Sequence, residues 1–363
     1  MHSILRRYSL DRDIHPPCGP ATQKAGDMKA ARVHGAGDLR LHDEPMPTPN
    51  PGEALVRVTA VGVCGSDVHW WREGCIGGDR IVTPLILGHE CAGVIESGPR
   101  RGQRVAIDPA IPCSRCEFCQ EGNPNLCSAL RFAGHAPHDG ALRQYIAWPE
   151  TSLVSLPDSL SEIDGVMLEP LGVALYSVDC ANVQPGMSVG VFGCGTIGLS
   201  VIQIARAAGA MGIFATELNN LPHRIKAARD FGASVFKSGE GLEAEQILKA
   251  TGGRGVDIAF EAAGDPEAVE AAIAAVKPGG KVIVIGIPLE DRITFTASTA
   301  RRKDLIIRVI HRMKHTYPRA LQLVKSGRVD VRSLVTHRFP LAETANAYAC
   351  AANREGIKVV VNC

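Results

Sequence analysis

The chain has 363 residues, of which 45% are hydrophobic, and it carries 39 basic against 38 acidic side chains. This length suggests about two domains, each able to bury its own core, and the apolar content excludes an intrinsically disordered chain. A formal net charge of +1 provides no basic field for a phosphate backbone, so we expect no nucleic-acid partner.

The sequence also bears on where the protein works. The longest apolar stretch, 189–210, is interrupted by glycines and contains Gln203 and Arg206, so we expect no membrane span. The N-terminus lacks the apolar run of a secretory signal, which favours a cytoplasmic protein whose cysteines are thiols or metal ligands. Residues 1–27 show no sustained apolar period, and we interpret them as a mobile N-terminal extension.

Taken in chain order, the predicted elements divide the rest of the chain. Residues 28–169 contain short β-rich runs separated by Gly and Pro, as in an irregular antiparallel barrel. From 170 to 312, apolar β-branched runs alternate with alanine-rich helical stretches, which is typical of a doubly wound parallel sheet. Residues 313–363 return to helix and strand, and we expect the last strand to fold back onto the first domain. The predicted strands are 54–63, 92–96, 104–107, 142–147, 188–192, 212–216, 234–236, 256–260, 281–285, 305–309, 334–339 and 357–361.

A glycine-rich turn follows the predicted strand at 188–192. Gly193, Gly195 and Gly198 form a G-x-G-x-x-G pattern that leads into an apolar helix. In such a turn one glycine permits the bend, the next lets the backbone approach a pyrophosphate, and the third allows close packing of helix on strand. The free N–H groups and positive dipole end of that helix would bind phosphates, so we interpret the turn as a dinucleotide site.

The choice of dinucleotide depends on Glu217, which ends the next predicted strand about 20 residues later. A carboxylate there accepts both ribose hydroxyls of NAD and repels the 2′-phosphate of NADP, so we expect NAD. His223 and Arg224 lie nearby and could serve that phosphate instead. A tight turn without ligand, with Glu217 merely on the surface, is the alternative.

Four cysteines, Cys113, Cys116, Cys119 and Cys127, lie in a segment otherwise made of Pro, Asn, Gly and charged residues. Thiolates at this spacing can close a tetrahedral shell around zinc and give the loop a fixed shape. An iron–sulfur cluster, another metal or redox thiols are the alternatives. A closed four-sulfur site has no open position, so we expect a structural zinc here.

A second set of metal-binding side chains comes from separate loops. Cys64 follows one strand, His89 and Glu90 follow another, and Glu169 opens a later helix. Together they could form an open zinc site at which a water or a substrate oxygen takes the remaining position. Each alone would be unremarkable, because such a cysteine usually packs in a core and a His-Glu pair usually lies on the surface.

In combination, the glycine turn, the cysteine cluster and this second set resemble the zinc-dependent medium-chain dehydrogenase/reductase family over residues 28–363. The resemblance implies a GroES-like β-barrel catalytic domain, 28–169 with 313–363, interrupted by a Rossmann domain, 170–312. It also implies an active site in the cleft between them and a homo-oligomer, either a dimer or a tetramer. Glu169-Pro170-Leu171 and the segment 336–341 resemble the polyol dehydrogenases of the sorbitol, iditol and xylitol group.

The resemblance also implies roles for individual residues. Cys64, His89 and Glu90 would bind the catalytic zinc, and Glu169 would be a fourth ligand or hold a water there. Ser66 and His69 occupy proton-relay positions, although His69 could merely pack against the cofactor ribose, and Asp67 would orient His89. The implied substrate contacts are Trp70, Glu169, Arg312 and Met313. The implied cofactor contacts are Gly193, Gly195, Thr196, Ile197, Gly198, Glu217, Arg224, Gly286, Ile287 and Arg312.

These features predict a zinc-dependent enzyme that oxidises a secondary hydroxyl of a polyol to a ketose with NAD. Trp70 and Met313 stand where polyol dehydrogenases usually have tyrosine. A substrate pocket that recognises hydroxyls by hydrogen bonding would therefore lack the two tyrosine hydroxyl groups. A dehydrogenase of another diol, a sugar acid or a threonine-like amino alcohol is the alternative within the same chemistry. A non-catalytic zinc- and nucleotide-binding protein is the alternative from another class.

Overall fold

The computed structural model describes residues 26–363, so most of the predicted N-terminal extension lies outside the described residues. Gly26 lies in a turn and Asp27 begins the first strand, so these two residues belong to the fold rather than to an extension. Within the described residues, no helix combines the length and apolar character that crossing a bilayer requires.

The first part of the described chain is built mainly of antiparallel strands. Its strands are β1 (Asp27–Gly35), β2 (Asp38–Pro45), β3 (Glu53–Gly62), β4 (Cys75–Ile76), β5 (Asp79–Arg80), β6 (Leu85–Ile86), β7 (Glu90–Ile95), β8 (Arg104–Ile107), β9 (Ala110–Ile111), β10 (Arg131–Phe132), β11 (Tyr145–Pro149) and β12 (Leu153–Ser155). Its helices are α1 (Gly65–Glu73), α2 (Glu117–Gln120) and α3 (Glu162–Val166).

The second part alternates strands with helices. Its elements are α4 (Leu168–Ala181), β13 (Ser188–Phe192), α5 (Thr196–Ala207), β14 (Gly212–Leu218), α6 (Pro222–Asp230), β15 (Ser234–Ser238), α7 (Glu243–Ala250), β16 (Val256–Glu261), α8 (Pro266–Ala275), β17 (Val276–Val284), α9 (Ala297–Arg302) and β18 (Ile306–Val309). The strands form a parallel sheet of order β15-β14-β13-β16-β17-β18. The order reverses direction between β13 and β16, which is the doubly wound arrangement.

The chain then returns to the first part through α10 (Tyr317–Lys325), β19 (Val335–Pro340), α11 (Thr344–Ala352) and β20 (Lys358–Asn362). Strand β20 pairs antiparallel with β3, with Val361 opposite Val61, in a sheet of order β12-β8-β7-β3-β20-β19. The expectation that the last strand folds back is therefore confirmed, as is the fold class of a β-barrel combined with a Rossmann sheet.

Helix α4 lies at the junction of the two parts and is buried along most of its length. Its leucines share one core with Ala106 of the barrel and with Val189 of the parallel sheet. The predicted boundary between residues 169 and 170 falls inside this helix, so the two parts are joined by continuous packing there. The exact domain limits stay a prediction.

One predicted strand is displaced. The sequence pattern indicated a strand over 142–147, whereas β11 covers Tyr145–Pro149. Leu142 is buried and its N–H donates to the carbonyl of Leu87, outside the ladder, and pairing with β3 begins only at Tyr145 opposite Arg57. The register of the partner strand, which the local pattern does not contain, sets where β11 starts.

The amino end of β16 is fixed by a buried carboxylate. Asp257 accepts hydrogen bonds from the backbone N–H and the hydroxyl of Ser188, at 2.8 and 2.9 Å, and from Arg254 and Lys277, both at 2.6 Å. Burial alone would raise the pKa of Asp257, but the hydrogen bonds from Arg254, Lys277 and Ser188 together hold it well below its ordinary value.

We expect Asp257→Asn to lower the free energy of unfolding by about 2 kcal/mol at neutral pH, because charged hydrogen bonds are lost. A carboxyl whose pKa is depressed by folding stabilises the protein above its unfolded pKa and loses that effect as the pH falls. The difference in Tm between wild type and Asp257→Asn should therefore shrink below about pH 4. Asp230→Asn is the control, because Asp230 only makes an exposed pair with Lys226 and should change Tm little. A pH-independent difference would contradict this account.

Candidate active site

Three metal-binding side chains from separate parts of the chain converge near the start of α1. Cys64 immediately precedes that helix, and His89 and Glu90 lie where β7 begins. The sulfur, a ring nitrogen and a carboxylate oxygen of these residues all lie within 4.8 Å of one another. The structure therefore brings together three of the four side chains that the sequence nominated for an open metal site.

Asp67 holds this group in place from behind. Its fully buried carboxylate accepts hydrogen bonds from the backbone N–H of Cys64 at 3.1 Å and of Gly88 at 3.4 Å. It also lies 3.3 Å from Nδ1 of His89. Burial alone would lower the pKa of His89, but Asp67 and Cys64 raise it well above the ordinary value. Because Asp67 engages Nδ1, the other ring nitrogen is the one that stays available for a metal.

Glu90 forms an ion pair that the sequence analysis missed. Nζ of Lys358, in β20, lies 2.8 and 2.6 Å from the two carboxylate oxygens of Glu90 and donates to the carbonyl of Val63 at 3.0 Å. Both side chains are buried, and an ion pair in such surroundings is strongly destabilising to break. The sequence shows a lysine within the apolar run 357–361, but no neighbouring residue indicates that Glu90 is the partner of this lysine.

Within the part of the chain that the structure describes, Glu169 lies near the group of Cys64, His89 and Glu90 but does not belong to it. Its side chain is buried, and burial raises its pKa to about 7, although the charge of His89 opposes this and that of Glu90 adds to it. A buried carboxyl next to a metal-binding group can hold either a ligand water or a proton.

The residues named for substrate contact are placed in different surroundings. The guanidinium of Arg312 lies 4.1 Å above the ring of Phe132, which in turn contacts His89. Met313 packs against Gly172 of α4, and its sulfur accepts a hydrogen bond from Thr316 at 3.1 Å.

Trp70 is only 2% exposed and packs in the barrel core, with its ring edge on His135. Contact of Trp70 or Met313 with a substrate stays a prediction. Phe132 and His135 carried no recognisable signal in the sequence, since Phe132 lies in a strand of only two residues and His135 in the loop that follows it.

The four clustered cysteines lie together in the loop around α2. Their sulfur atoms are all within 4.8 Å of one another. The backbone N–H groups of Arg115 and Cys116 lower the pKa of Cys113 to about 6, which favours the thiolate that a metal requires. The loop that carries these cysteines also contacts the segment that carries Arg312, because the side chain of Asn125 donates to the carbonyl of His311 at 3.1 Å.

The glycine turn connects β13 to α5 as predicted, and its glycines have different structural reasons. A Cβ on Gly198 would lie 1.9 Å from the carbonyl oxygen of Gly193, and Gly193 itself has a φ of +96°. Gly195 has an ordinary φ of −72°, and a Cβ there would meet nothing closer than Arg224 at 3.7 Å. The fold therefore requires glycine at 193 and 198, whereas at 195 the missing side chain leaves open space at the start of α5. This open space fits the close approach of a pyrophosphate.

The remaining residues of the predicted cofactor site surround this turn. Glu217 is buried and accepts a hydrogen bond from the N–H of Cys194 at 2.9 Å, so its carboxylate lies at the turn. Thr196 donates to the carbonyl of Ile357 at 2.9 Å, and Arg224 donates to that of Gly356 at 2.9 Å. Two of the predicted cofactor residues therefore also bind the segment just before β20.

His69 connects the two halves of the candidate site. It lies on α1, as Ser66 does, and its ring lies close to the backbone of Ile287, which follows β17 in the parallel sheet. Burial lowers the pKa of His69. The metal-binding group and the crevice at the ends of the parallel strands are therefore adjacent, as a reaction between a metal-bound substrate and a dinucleotide requires.

The donor sets also indicate which metal fits. Four thiolates within bonding reach suit zinc in a closed tetrahedral site, and a thiolate, an imidazole and a carboxylate suit zinc in an open one. These residues could hold two ions, one in each group.

Comparison with known proteins agrees with this geometry. The family model described as "Alcohol dehydrogenase GroES-like domain" matches residues 50–158, and "Zinc-binding dehydrogenase" matches residues 196–326. The chain is 37% identical to the sorbitol dehydrogenase of Bacillus subtilis over 344 residues, which cover 92% of this chain and 97% of that protein. It is 34% identical to the L-idonate 5-dehydrogenase of Vitis vinifera over 92% of this chain and 94% of that protein.

Solved structures give the same result. The 2R,3R-butanediol dehydrogenase from Bacillus subtilis superposes with a TM-score of 0.82 at 30% identity, covering 93% of this chain and 99% of that one. The fold, the two metal-binding groups and these similarities agree with one another. The chain belongs to the zinc-dependent medium-chain dehydrogenase/reductase family and, within it, to the polyol dehydrogenase group.

Proposed function

We propose that the protein oxidises a secondary hydroxyl of a neutral polyol, such as sorbitol, xylitol or iditol, to a ketose with NAD. The observation that carries this proposal is the group Cys64, His89 and Glu90, which lies near the loop after β17 through the proximity of His69 to Ile287. When bound, zinc would act as a Lewis acid on the hydroxyl and the nicotinamide would accept the hydride.

The chain's own residues then have the following roles. Cys64, His89 and Glu90 hold the zinc, Asp67 orients His89, and Glu169 holds the proton released from the hydroxyl. Ser66 and His69 provide the alternative route for that proton, and Arg312 with Met313 and Trp70 shapes the substrate pocket. A structural zinc would be held by Cys113, Cys116, Cys119 and Cys127. It would fix the loop that contacts the segment carrying Arg312. The cofactor residues named from the sequence bind NAD, and Glu217 selects it over NADP.

We also propose a cytoplasmic homo-oligomer whose catalytic and dinucleotide domains divide as the sequence predicted. Strand β18 is an edge of the parallel sheet, and Ile306 and Val309 on it are 58% and 66% exposed. An exposed apolar edge strand of this kind is a ready template for pairing with a second copy.

A substrate panel tests the reaction. With purified protein we expect kcat/KM for sorbitol, xylitol or iditol to exceed that for butane-2,3-diol and threonine by roughly tenfold or more, because the smaller substrates offer fewer hydroxyls for the site to bind. NAD should be preferred to NADP by a similar factor, since Glu217 repels a 2′-phosphate. Reduction of the cofactor is followed by its absorbance. No rate on any polyol would refute the proposed substrate class.

Metal content tests the open site. We expect two zinc ions per chain in the wild type and one in Cys64→Ser, with turnover reduced at least about a thousandfold, since a catalytic ligand is lost. Elemental analysis and activity measure the two effects. Cys180→Ser is the control, because Cys180 lies on α4 outside both groups and should keep both ions and the activity. A single zinc that survives Cys64→Ser unchanged would favour a non-catalytic binding protein.

A pair of glycine substitutions separates binding from folding. Gly195→Ala should leave Tm within about 1 °C of wild type, because its Cβ meets only ordinary contacts, yet weaken NADH binding about tenfold or more by blocking the pyrophosphate. Gly198→Ala should lower Tm by several degrees, because its Cβ would collide with a backbone carbonyl. Thermal unfolding and NADH fluorescence titration provide the readouts. Wild-type NADH affinity in Gly195→Ala would contradict the proposed cofactor position.

A further inference from the structure

A second buried carboxylate occupies the other end of β16. Glu261 is the last residue of this strand and is 0% exposed. It pairs with Phe192, which immediately precedes the glycine turn, on one side and with Val284 of β17 on the other. It therefore lies at the carboxyl end of the sheet, next to the point between β13 and β16 where the strand order reverses. Ligands of doubly wound sheets bind in the crevice at this point.

The carboxylate of Glu261 fixes the loop that follows its own strand. Oε1 accepts hydrogen bonds from the backbone N–H groups of Ala263 and Gly264, both at 2.7 Å. That loop packs directly on the glycine turn, because a Cβ on Gly193 would lie only 2.9 Å from the backbone nitrogen of Ala263. One carboxylate oxygen therefore sets the position of the loop against the turn proposed to bind the pyrophosphate.

Glu261 fixes the neighbouring strand end as well. Its backbone carbonyl accepts hydrogen bonds from the N–H groups of Ile285 and Gly286, at 2.8 and 3.2 Å. A Cβ on Gly286 would lie 2.8 Å from Oε2 and 2.2 Å from the backbone nitrogen of Gly264, so the two loops meet with no space for a side chain. The next residue, Ile287, is the one that contacts His69. The backbone of Glu261 therefore pairs with this strand end, and its side chain contacts the loop after β17 through Oε2.

The cost of burying this carboxylate is not offset by a cation. The hydrogen-bond donors to its side chain are backbone N–H groups, and Oε2 is buried without a hydrogen-bond partner in the described part of the chain. A buried carboxyl group with an unpaired oxygen is costly, and an apolar residue would pack at a strand end at a lower cost. Such a group is kept where it holds the backbone in one geometry, and a preformed loop reduces the ordering cost of ligand binding.

We propose that Glu261 is a positioning residue for the dinucleotide, which preorganises the loops after β16 and β17 as the wall of the NAD crevice. This inference rests on the proposed use of NAD. It is distinct from the recognition of the ribose by Glu217, because Glu261 acts on the protein backbone. The acceptor oxygen matters rather than the charge, since both of its hydrogen bonds come from neutral N–H groups.

Substitution at 261 tests this role through NADH binding measured by fluorescence titration. Glu261→Leu, which has no acceptor, should raise the dissociation constant of NADH about tenfold or more. Glu261→Gln keeps one acceptor oxygen for Ala263 and Gly264 and should stay within about threefold of wild type. Glu261→Asp keeps the charge but retracts the acceptor by one methylene, and should weaken binding about fivefold. If Glu261→Leu does not fold, the contrast between the Gln and Asp variants decides.

Asp257→Asn is the matched control, because it alters a buried carboxylate at the opposite end of the same strand. It should lower Tm yet keep NADH affinity within about twofold of wild type. Wild-type NADH affinity in Glu261→Leu or in Glu261→Asp would overturn the positioning role, as would an equal loss of affinity in Asp257→Asn. Failure of the wild type to bind NADH would overturn the proposed cofactor and this role together, whereas binding without polyol turnover would refute only the substrate class.

Discussion

The antiparallel pairing of β20 with β3 is the contact on which the rest of the active site depends. It joins β20 to a strand that lies some 300 residues earlier in the sequence, and the whole parallel sheet lies between the two strands along the chain. Three contacts follow from it: Lys358 reaches Glu90, the carbonyl of Ile357 accepts from Thr196, and the carbonyl of Gly356 accepts from Arg224. Strand β20 and the two residues before it therefore connect the metal-binding group with the glycine turn and hold the two parts of the protein against each other.

The metal-binding group is assembled from charges that would be costly to bury singly. Asp67 and His89 form one buried pair, and Glu90 and Lys358 form another. Removing one partner would leave an uncompensated charge in a low-dielectric interior, so each pair constrains the other residues of the group. This explains why the three donor atoms lie together although they come from different loops.

In the parallel sheet there is a division between residues that serve stability and residues that are proposed to serve cofactor binding. Asp257 at the amino end of β16 is held by cations and a hydroxyl, whereas Glu261 at the carboxyl end is held by backbone N–H groups. The glycine turn shows the same division, because Gly193 and Gly198 are required by backbone geometry and Gly195 is not. A sequence motif such as G-x-G-x-x-G therefore combines residues that the fold needs with one that only a ligand explains.

The sequence by itself determined what depends on short stretches of chain. The alternation of apolar strands with helices predicted the parallel sheet, because each strand and each helix has its own local pattern. The spacing of Cys113, Cys116, Cys119 and Cys127 predicted a metal loop, because all four ligands lie within one short segment. The chemistry of their side chains nominated Cys64, His89 and Glu90, and resemblance to a family implied their role as catalytic zinc ligands, because no local pattern connects them.

Only the tertiary structure decided which distant groups meet. Lys358 on Glu90, the burial of Trp70 against His135 and the loops held by Glu261 all depend on strand register and on packing between separate parts of the chain. Hydrophobic periodicity states which face of a strand is buried but not which strand lies beside it. The sequence therefore specified the elements and most of the chemically active residues, and the long-range pairing of β20 and β16 with their neighbours specified the geometry in which those residues work.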